Sequence, residues 1–375
     1  MKYSTNRQNL YIVLIVLLIS SISIAGEIKL DLNDNNILNQ VIDSQIKEQF
    51  EFNGLAAYLN QVQYYLVDMK EINHLDQAKQ AIVLKKGQWF ATVGRFQALL
   101  IKSEGLQVVF DDKQQVSIKA ANQNIRSYIV SKPQLKQLAA ELDQIRYYQL
   151  WKPFALLAKF SESVLVFIKN TTTFSWGVVI LIFALIIKLL LLPLSLATAK
   201  SHKKVTAIGR QLQPRLKQIK SKYDGEQAHH KIMQAHKDLG VTPFYTLKPM
   251  LSFLIQIPVL IAIFNALGEM PQLAGQSFLW VNDLSLVDGI YPLSFSIPFM
   301  GDSINLMPFI MTAITLLSSF LLKDSQASLQ ESKNQKIKLY LMSLGFLILF
   351  YPFPAAMVMY WTMANLLQLL QQKTF

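Results

Sequence analysis

The sequence contains no cysteine among its 375 residues. A chain without thiols forms no disulfide framework, offers no thiolate to a metal and carries no lipid-modified cysteine. Charged residues are also scarce, at 16%, whereas 52% of the residues are hydrophobic and the mean hydropathy is +0.28. Soluble domains contain about 25% charged residues. The composition therefore favours a membrane protein.

Sequence motifs of common active sites are missing as well. The chain contains no GxSxG, no Walker-type loop, no HExxH and no pair of carboxylates inside an apolar segment. His229, His230 and His236 lie close together, but no cysteine or carboxylate completes a metal site, so a solvated surface is expected for them. The sequence predicts neither an enzyme nor a metal or cofactor site.

Six apolar segments approach the length of about 20 residues that a helix needs to cross a bilayer. They cover residues 10–25, 174–194, 247–267, 304–322, 339–351 and 354–370. The first ends in Ser-Ile-Ala, so residues 1–25 fit either an uncleaved anchor or a cleaved signal. The fifth is short and needs a locally thinner bilayer.

Positive charge is distributed unevenly between these segments. Residues 197–246 contain ten Lys or Arg and three acids, whereas residues 268–303 contain four acids and no Lys or Arg. Because cytoplasmic loops retain Lys and Arg, the first of these loops is predicted to be cytoplasmic and the second to lie outside. The pattern predicts a multi-pass membrane protein, with both termini cytoplasmic if the first span is uncleaved.

A segment of mixed composition separates the first two spans. Residues 26–145 contain strand-like stretches such as QWFATVGRFQALLI and GLQVVF, in which aromatic and β-branched residues alternate in part. They predict a small β-rich domain on the outer side, without an active site. Residues 36–66 fit helix and strand equally well.

A helical pattern follows this domain. Residues 147–170 carry apolar side chains at helical spacing, and Lys152, Lys159 and Glu162 lie mostly away from that stripe. The pattern predicts an amphipathic helix on the membrane surface, with a buried core helix as the alternative.

The cytoplasmic segment, residues 197–242, has the pattern of two helices broken at Asp224-Gly225. Their apolar stripes are complementary and predict an antiparallel helical hairpin with basic residues outward. This hairpin is either a solvated structural element or a docking arm for a ribosome, a targeting receptor or lipid phosphates. The residues predicted to dock such a partner are Lys203, Lys204, Arg210, Arg215, Lys217 and Lys220.

Polar residues recur at helical spacing inside the spans, and their side chains must find partners or a shared wet cavity. The predicted groove residues from these stripes are Lys188, Gln256, Thr312, Thr315, Thr362 and Asn365. A lysine within a span costs about 3 kcal/mol on the insertion scale. Lys188 lies nearer the cytoplasmic end, so its stem can either extend to the interface or contribute to a cavity.

Several motifs occur in a specific order between residues 147 and 375. They are LQP in the basic hairpin, VTPF before LIQIPVLIAIFNAL, then FLWVNDLS, and finally YPFPAAMVMYWTMANLLQLLQQ. In this combination the chain resembles the YidC membrane insertase family. The resemblance implies a polytopic α-helical membrane protein with an N-terminal span, a small β-rich periplasmic domain, and a five-helix core, residues 146–375, with a hydrophilic groove and a cytoplasmic hairpin.

The resemblance also implies a location in the bacterial inner membrane and a non-enzymatic function. A basic residue of the family's groove matches Lys188, and Tyr360 or Trp361 is implied to contact the nascent helix. The implied partners are nascent membrane proteins and membrane lipids, with the ribosome, the signal recognition particle receptor and the Sec translocon as further candidates; DNA is not expected.

Three features differ from the family pattern. Lysine replaces the usual arginine at 188, Ala184 stands where many members carry a hydroxyl, and the segment before residue 147 is short. Two other functions stay open: a transporter or channel with Lys188 as its anion site, and an assembly scaffold that acts through residues 26–146.

Overall fold

The computed structural model describes residues 26–28, 35–75, 82–102, 104–110, 116–119, 125–245, 247–321 and 329–374. The predicted N-terminal span, residues 1–25, lies outside the described residues. Within them a β-rich part comes first and a helical part follows. At this level the predicted fold class is confirmed.

The described strands of the β-rich part are β1 (Gly26–Ile28), β2 (Gln63–Val67), β3 (Ile72–His74), β4 (Ile82–Val83), β5 (Trp89–Val93), β6 (Gln97–Lys102), β7 (Gln107–Phe110), β8 (Val116–Lys119) and β9 (Arg126–Ser131). They form two antiparallel sheets, ordered β1-β9-β6-β5-β2-β3 and β4-β7-β8. Residues 36–66, for which the sequence left helix and strand open, contain both: helix α1 (Asn35–Val41) with a π-helical turn to Ile46, a 3-10 turn (Gly54–Asn60) and β2.

Strands β5 and β6 bury both of their faces. On one face Phe90 and Leu99 pack with residues of β7, β8 and α1, and on the other Ala91 and Leu100 pack against Leu135 and its neighbours. Successive side chains of a strand point to opposite faces, and only a strand with one wet face alternates cleanly between apolar and polar residues. The double burial therefore explains why the sequence alternates only in part.

The helical part begins after a short helix α2 (Leu135–Leu138) and a 3-10 turn (Ala140–Ile145). Its described helices are α3 (Lys152–Thr171), α4 (Trp176–Leu190), α5 (Leu192–Lys222), α6 (Gly225–Asp238), α7 (Leu247–Glu269), α8 (Leu306–Leu321), α9 (Leu329–Phe350) and α10 (Ala355–Thr374). A hairpin of β10 (Tyr291–Ile297) and β11 (Gly301–Ile304) lies in the connection from α7 to α8.

No single helix among the described residues combines the length and the apolar character needed to cross a membrane. Helix α4 and the first part of α5, as far as Thr198, have the required length and apolar character only when taken together, across a bend of 55°. The later predicted spans fall on α7, α8, α9 and α10.

A bend interrupts the second predicted span. Segment 174–194 is broken at Leu191, and Pro193 lies in the first turn of α5, where proline removes no helical hydrogen bond. Helix α5 then continues to Lys222, so one helix contains both the end of that segment and the first arm of the predicted hairpin.

The polar face predicted for residues 147–170 is wrong at Glu162. This side chain is buried, forms an ion pair with Arg146, and accepts a hydrogen bond of 2.9 Å from the Tyr147 hydroxyl. Burial and the neighbouring carboxylate raise the pKa of Tyr147, which keeps its hydroxyl a donor. Phe160 and Phe167 are exposed instead. Helix α3 thus turns an ion pair inward and aromatic side chains outward.

Arg95 joins the β-rich part to the helical part. Its guanidinium donates to the carbonyl oxygens of Gly268 at 2.7 Å and Ser285 at 2.8 Å, and lies 3.4 Å from the carboxylate of Glu48. The Phe52 ring covers it at 4.7 Å, and the side chain is 1% exposed. Burial lowers the pKa of Arg95 and the Glu48 carboxylate opposes that change. The guanidinium satisfies carbonyls at the end of α7 and in the loop that follows.

Candidate functional site

A cavity of about 340 Å³ opens between α4, α7, α9 and α10 beside the bend at Leu191. Its apolar lining includes Ile187, Leu260 and Phe346. Five of the eight predicted groove residues lie around it, and they are Lys188, Gln256, Tyr360, Trp361 and Asn365. A polar group in such a cavity needs a partner or water, because the apolar lining offers none.

Lys188 has such a partner on the last helix. Its ammonium group donates a hydrogen bond to the side-chain oxygen of Gln368. Just beyond the bend, the Ser195 hydroxyl accepts a hydrogen bond of 2.7 Å from the side-chain amide of Gln371. Helix α10 therefore holds both sides of the bend. A lysine ammonium carries three donors, so Lys188 keeps donors for a ligand after it bonds to Gln368.

Aromatic rings form one wall of the cavity. Tyr360 is 6% exposed and its ring lies 6.0 Å from that of Phe183. Trp361 stacks on Phe350, with ring centroids 5.5 Å apart. These rings give the cavity a hydrophobic surface. Among the described residues that line it, Lys188 is the one cationic side chain.

The three predicted threonines make different contacts. Thr315 accepts a hydrogen bond of 3.1 Å from the Asn365 amide and so borders the cavity through that side chain. All three hydroxyls donate to carbonyl oxygens of their own helices: Thr312 to Pro308, Thr315 to Met311 and Thr362 to Val358. Thr312 and Thr362 are not among the residues that line the cavity. Such bonds within one helix satisfy a threonine without any cavity.

The C-terminal half of the chain matches a known protein family. The family described as "60Kd inner membrane protein" matches residues 167–375, more than half of the chain. The chain belongs to this family. The matched residues include α4, the bend, and every helix around the cavity. The resemblance inferred from the ordered motifs is therefore confirmed.

Individual relatives of the 60 kDa inner membrane protein family are longer than this chain. The membrane protein insertase YidC of Chlorobaculum tepidum is 34% identical over 246 residues, which cover 64% of this chain and 39% of that protein. The insertase YidC of Treponema denticola is 26% identical over 362 residues, which cover 88% and 60%. A crystal structure of an active YidC insertase is 21% identical, with 84% of this chain and 71% of that one covered, at a TM-score of 0.41.

Among the described residues, none from 197 to 242 in the basic hairpin lines the cavity. Leu212 and Ala235 pack between α5 and α6, and the turn falls at Asp224 and Gly225. Of the predicted docking residues, the side chain of Lys203 lies outside the described residues. The other five are exposed: Lys204, Arg210, Arg215, Lys217 and Lys220.

The three histidines do not share one environment. His229 and His230 are exposed, whereas His236 is buried beside Tyr245, with ring centroids 6.3 Å apart. Its Nδ1 lies 2.7 Å from the carbonyl oxygen of Ile232. The predicted solvated surface is therefore wrong for His236.

Sequence reasoning missed part of the cavity. Gln368 belongs to the polar stripe of the last span, but its contact with Lys188 joins residues 180 positions apart. Its spacing of three from Asn365 was the available signal, since residues three apart share a helix face. The aromatic lining from Phe346 and Phe350 had no signal, because such residues are common on any apolar helix.

Proposed function

We propose that this chain is a membrane protein insertase and folding helper that works without enzymatic chemistry. The observation that carries the proposal is the cavity beside Lys188, a cationic side chain with spare donors among apolar and aromatic walls. Membership in the 60 kDa inner membrane protein family supports it.

The proposed mechanism follows from the cavity's chemistry. A short acidic or polar segment of a substrate is attracted to Lys188, because charges interact more strongly beside apolar walls than in water. Gln256 and Asn365 supply hydrogen-bonding groups for its backbone while it leaves water. The apolar helix of the substrate then moves into lipid between α7 and α9, because lipid accepts an apolar helix at no polar cost.

The proposal includes a place in the cell and a set of partners. The chain is a multi-pass inner-membrane protein, with the hairpin of α5 and α6 in the cytoplasm, as the distribution of Lys and Arg favours. The exposed cations of that hairpin, among them the five predicted docking residues, suit contacts with ribosomal RNA or anionic headgroups. The signal recognition particle receptor and the Sec translocon are further proposed partners.

Reconstitution tests this function directly. The purified full chain in vesicles is expected to protect the outer segment of a small, newly translated one-span substrate from protease. The substrate carries a short acidic outer segment, and empty vesicles provide the background. Protection no higher than that background would contradict the proposal, and solute flux through the same vesicles would favour a channel instead.

A further inference from the structure

The connection between α7 and α8 exposes a set of large apolar side chains, here called the outer apolar rim. Each member is between 47% and 74% exposed. The rim consists of Leu279, Ile290, Tyr291, Phe295 and Phe299. Exposed large apolar residues at this density are typical of a surface that contacts a protein or a membrane. Neither the cavity nor the family match accounts for them.

Two rim residues hold an unusual backbone conformation. Leu279 has φ of 53° and Phe299 has φ of 66°, both in the left-handed region that glycine adopts easily. A bulky apolar residue with positive φ is a true outlier. Strained positions of this kind cluster at sites of function. At these two turns the chain keeps a large side chain where glycine would relieve the backbone.

The hairpin lies along the ends of the helices rather than away from them. At its base the Ile290 N–H donates to the Ile304 carbonyl at 2.8 Å, next to the start of α8. At its tip the Phe299 carbonyl oxygen lies close to Gly54, at 2.9 Å from the position that a Cβ atom on this glycine would take. The same Cβ position is 3.4 Å from the side chain of Pro352, which lies in the connection between α9 and α10. Both ends of the hairpin are therefore beside helix ends.

The composition of the hairpin selects its partner. Residues 290–304 contain a single charged residue, Asp302, and no Lys or Arg. Both faces of β10 are exposed, including Tyr291, which pairs with Ile304 across the hairpin. A folded partner would cover one face, whereas the boundary between headgroups and acyl chains surrounds a hairpin and favours aromatic rings.

We propose that the outer apolar rim lies in the lipid interface of the outer leaflet and anchors the outer ends of α7 and α8. The proposal rests on the proposed function, because it needs these helices to cross the bilayer. The anchor fixes the outer ends of the helices while the cavity admits substrate from the other side.

The absence of native cysteine permits a direct test with single-cysteine variants of the full chain. Phe299→Cys and, separately, Phe295→Cys carry an environment-sensitive fluorophore in vesicles of phosphatidylethanolamine and phosphatidylglycerol. Lipids with a quencher near the headgroup or deep in the acyl chain report the depth. Met69→Cys, in the β2–β3 turn and 86% exposed, is the control for water. Leu341→Cys, on α9 and 64% exposed, is the control for lipid.

We expect headgroup quenchers to reduce the fluorescence at Phe295→Cys and Phe299→Cys several-fold more than at Met69→Cys. At these two rim positions, headgroup quenchers are also expected to act more strongly than quenchers deep in the acyl chains. If the two rim positions are quenched no more than Met69→Cys while Leu341→Cys is quenched, the anchor proposal is overturned and the proposed function stands. If Leu341→Cys is also unquenched, α9 does not face lipid and both proposals fail.

Discussion

Lys188→Glu is expected to abolish insertion of substrates with acidic outer segments. Two unit charges about 4 Å apart interact by about 4 kcal/mol at an effective dielectric of about 20, and the substitution turns that attraction into repulsion. It also places a carboxylate against the side-chain oxygen of Gln368, which now accepts a hydrogen bond from Lys188. We expect the insertion rate to fall by at least about two orders of magnitude. The protease-protection assay in vesicles measures this loss.

Graded variants separate charge from size. Lys188→Arg keeps the charge and is expected to retain insertion, although its planar fork differs from an ammonium. Lys188→Ala is expected to weaken insertion several-fold for acidic substrates and less for neutral ones, because only the former lose an attraction.

A relocated lysine is the sharpest control. Leu189 is adjacent to Lys188 and 58% exposed, so Lys188→Ala with Leu189→Lys keeps one lysine in the helix and moves its ammonium out of the cavity. We expect this double variant to insert no better than Lys188→Ala. Full rescue would mean that Lys188 serves as an interfacial anchor, and the groove mechanism would have to be given up.

Arg95→Ala is expected to loosen the β-rich part from the helical part. The substitution removes the donors to the carbonyls of Gly268 and Ser285 and leaves the Glu48 carboxylate unpaired. Removing one partner of a buried ion pair costs about 3–5 kcal/mol. We expect a clearly lower melting temperature of the purified protein and faster protease cleavage near residues 132–146.

Two further variants check that interpretation. Arg126→Ala removes an exposed arginine from β9 of the same sheet, and surface substitutions usually change stability by no more than about 0.5 kcal/mol. Arg95→Lys keeps a charge but cannot reach both carbonyls with one rigid fork, so an intermediate effect is expected. If Arg95→Ala melts and digests like Arg126→Ala, the arginine does not join the two parts.

Local signals predicted local structure well. The turn at Asp224-Gly225 and the apolar stripes of the basic hairpin follow from glycine's backbone freedom and helical spacing, and both appear in the structure. The polar stripe of the last span likewise gave Asn365 its place at the cavity.

Contacts between residues far apart in the chain could not be predicted from the sequence. Nothing near Glu162 signals that Arg146 and Tyr147 fold back on it and bury it. Arg95 reads as an ordinary turn residue, because the carbonyls it binds lie more than 170 residues away. A charged residue is expected at the surface unless its partners are known, so the burial of both could not be inferred.

Crosslinking to a stalled nascent chain tests most directly whether substrates pass through the cavity beside Lys188. Photoreactive residues at Gln256 and Tyr360 face the cavity and leave Lys188 in place, whereas one at Leu344 lies on the exposed side of α9. We expect adducts with the apolar helix of the nascent chain from positions 256 and 360, and few from 344. Adducts from 344 alone, or equal yields at all three positions, would contradict the account.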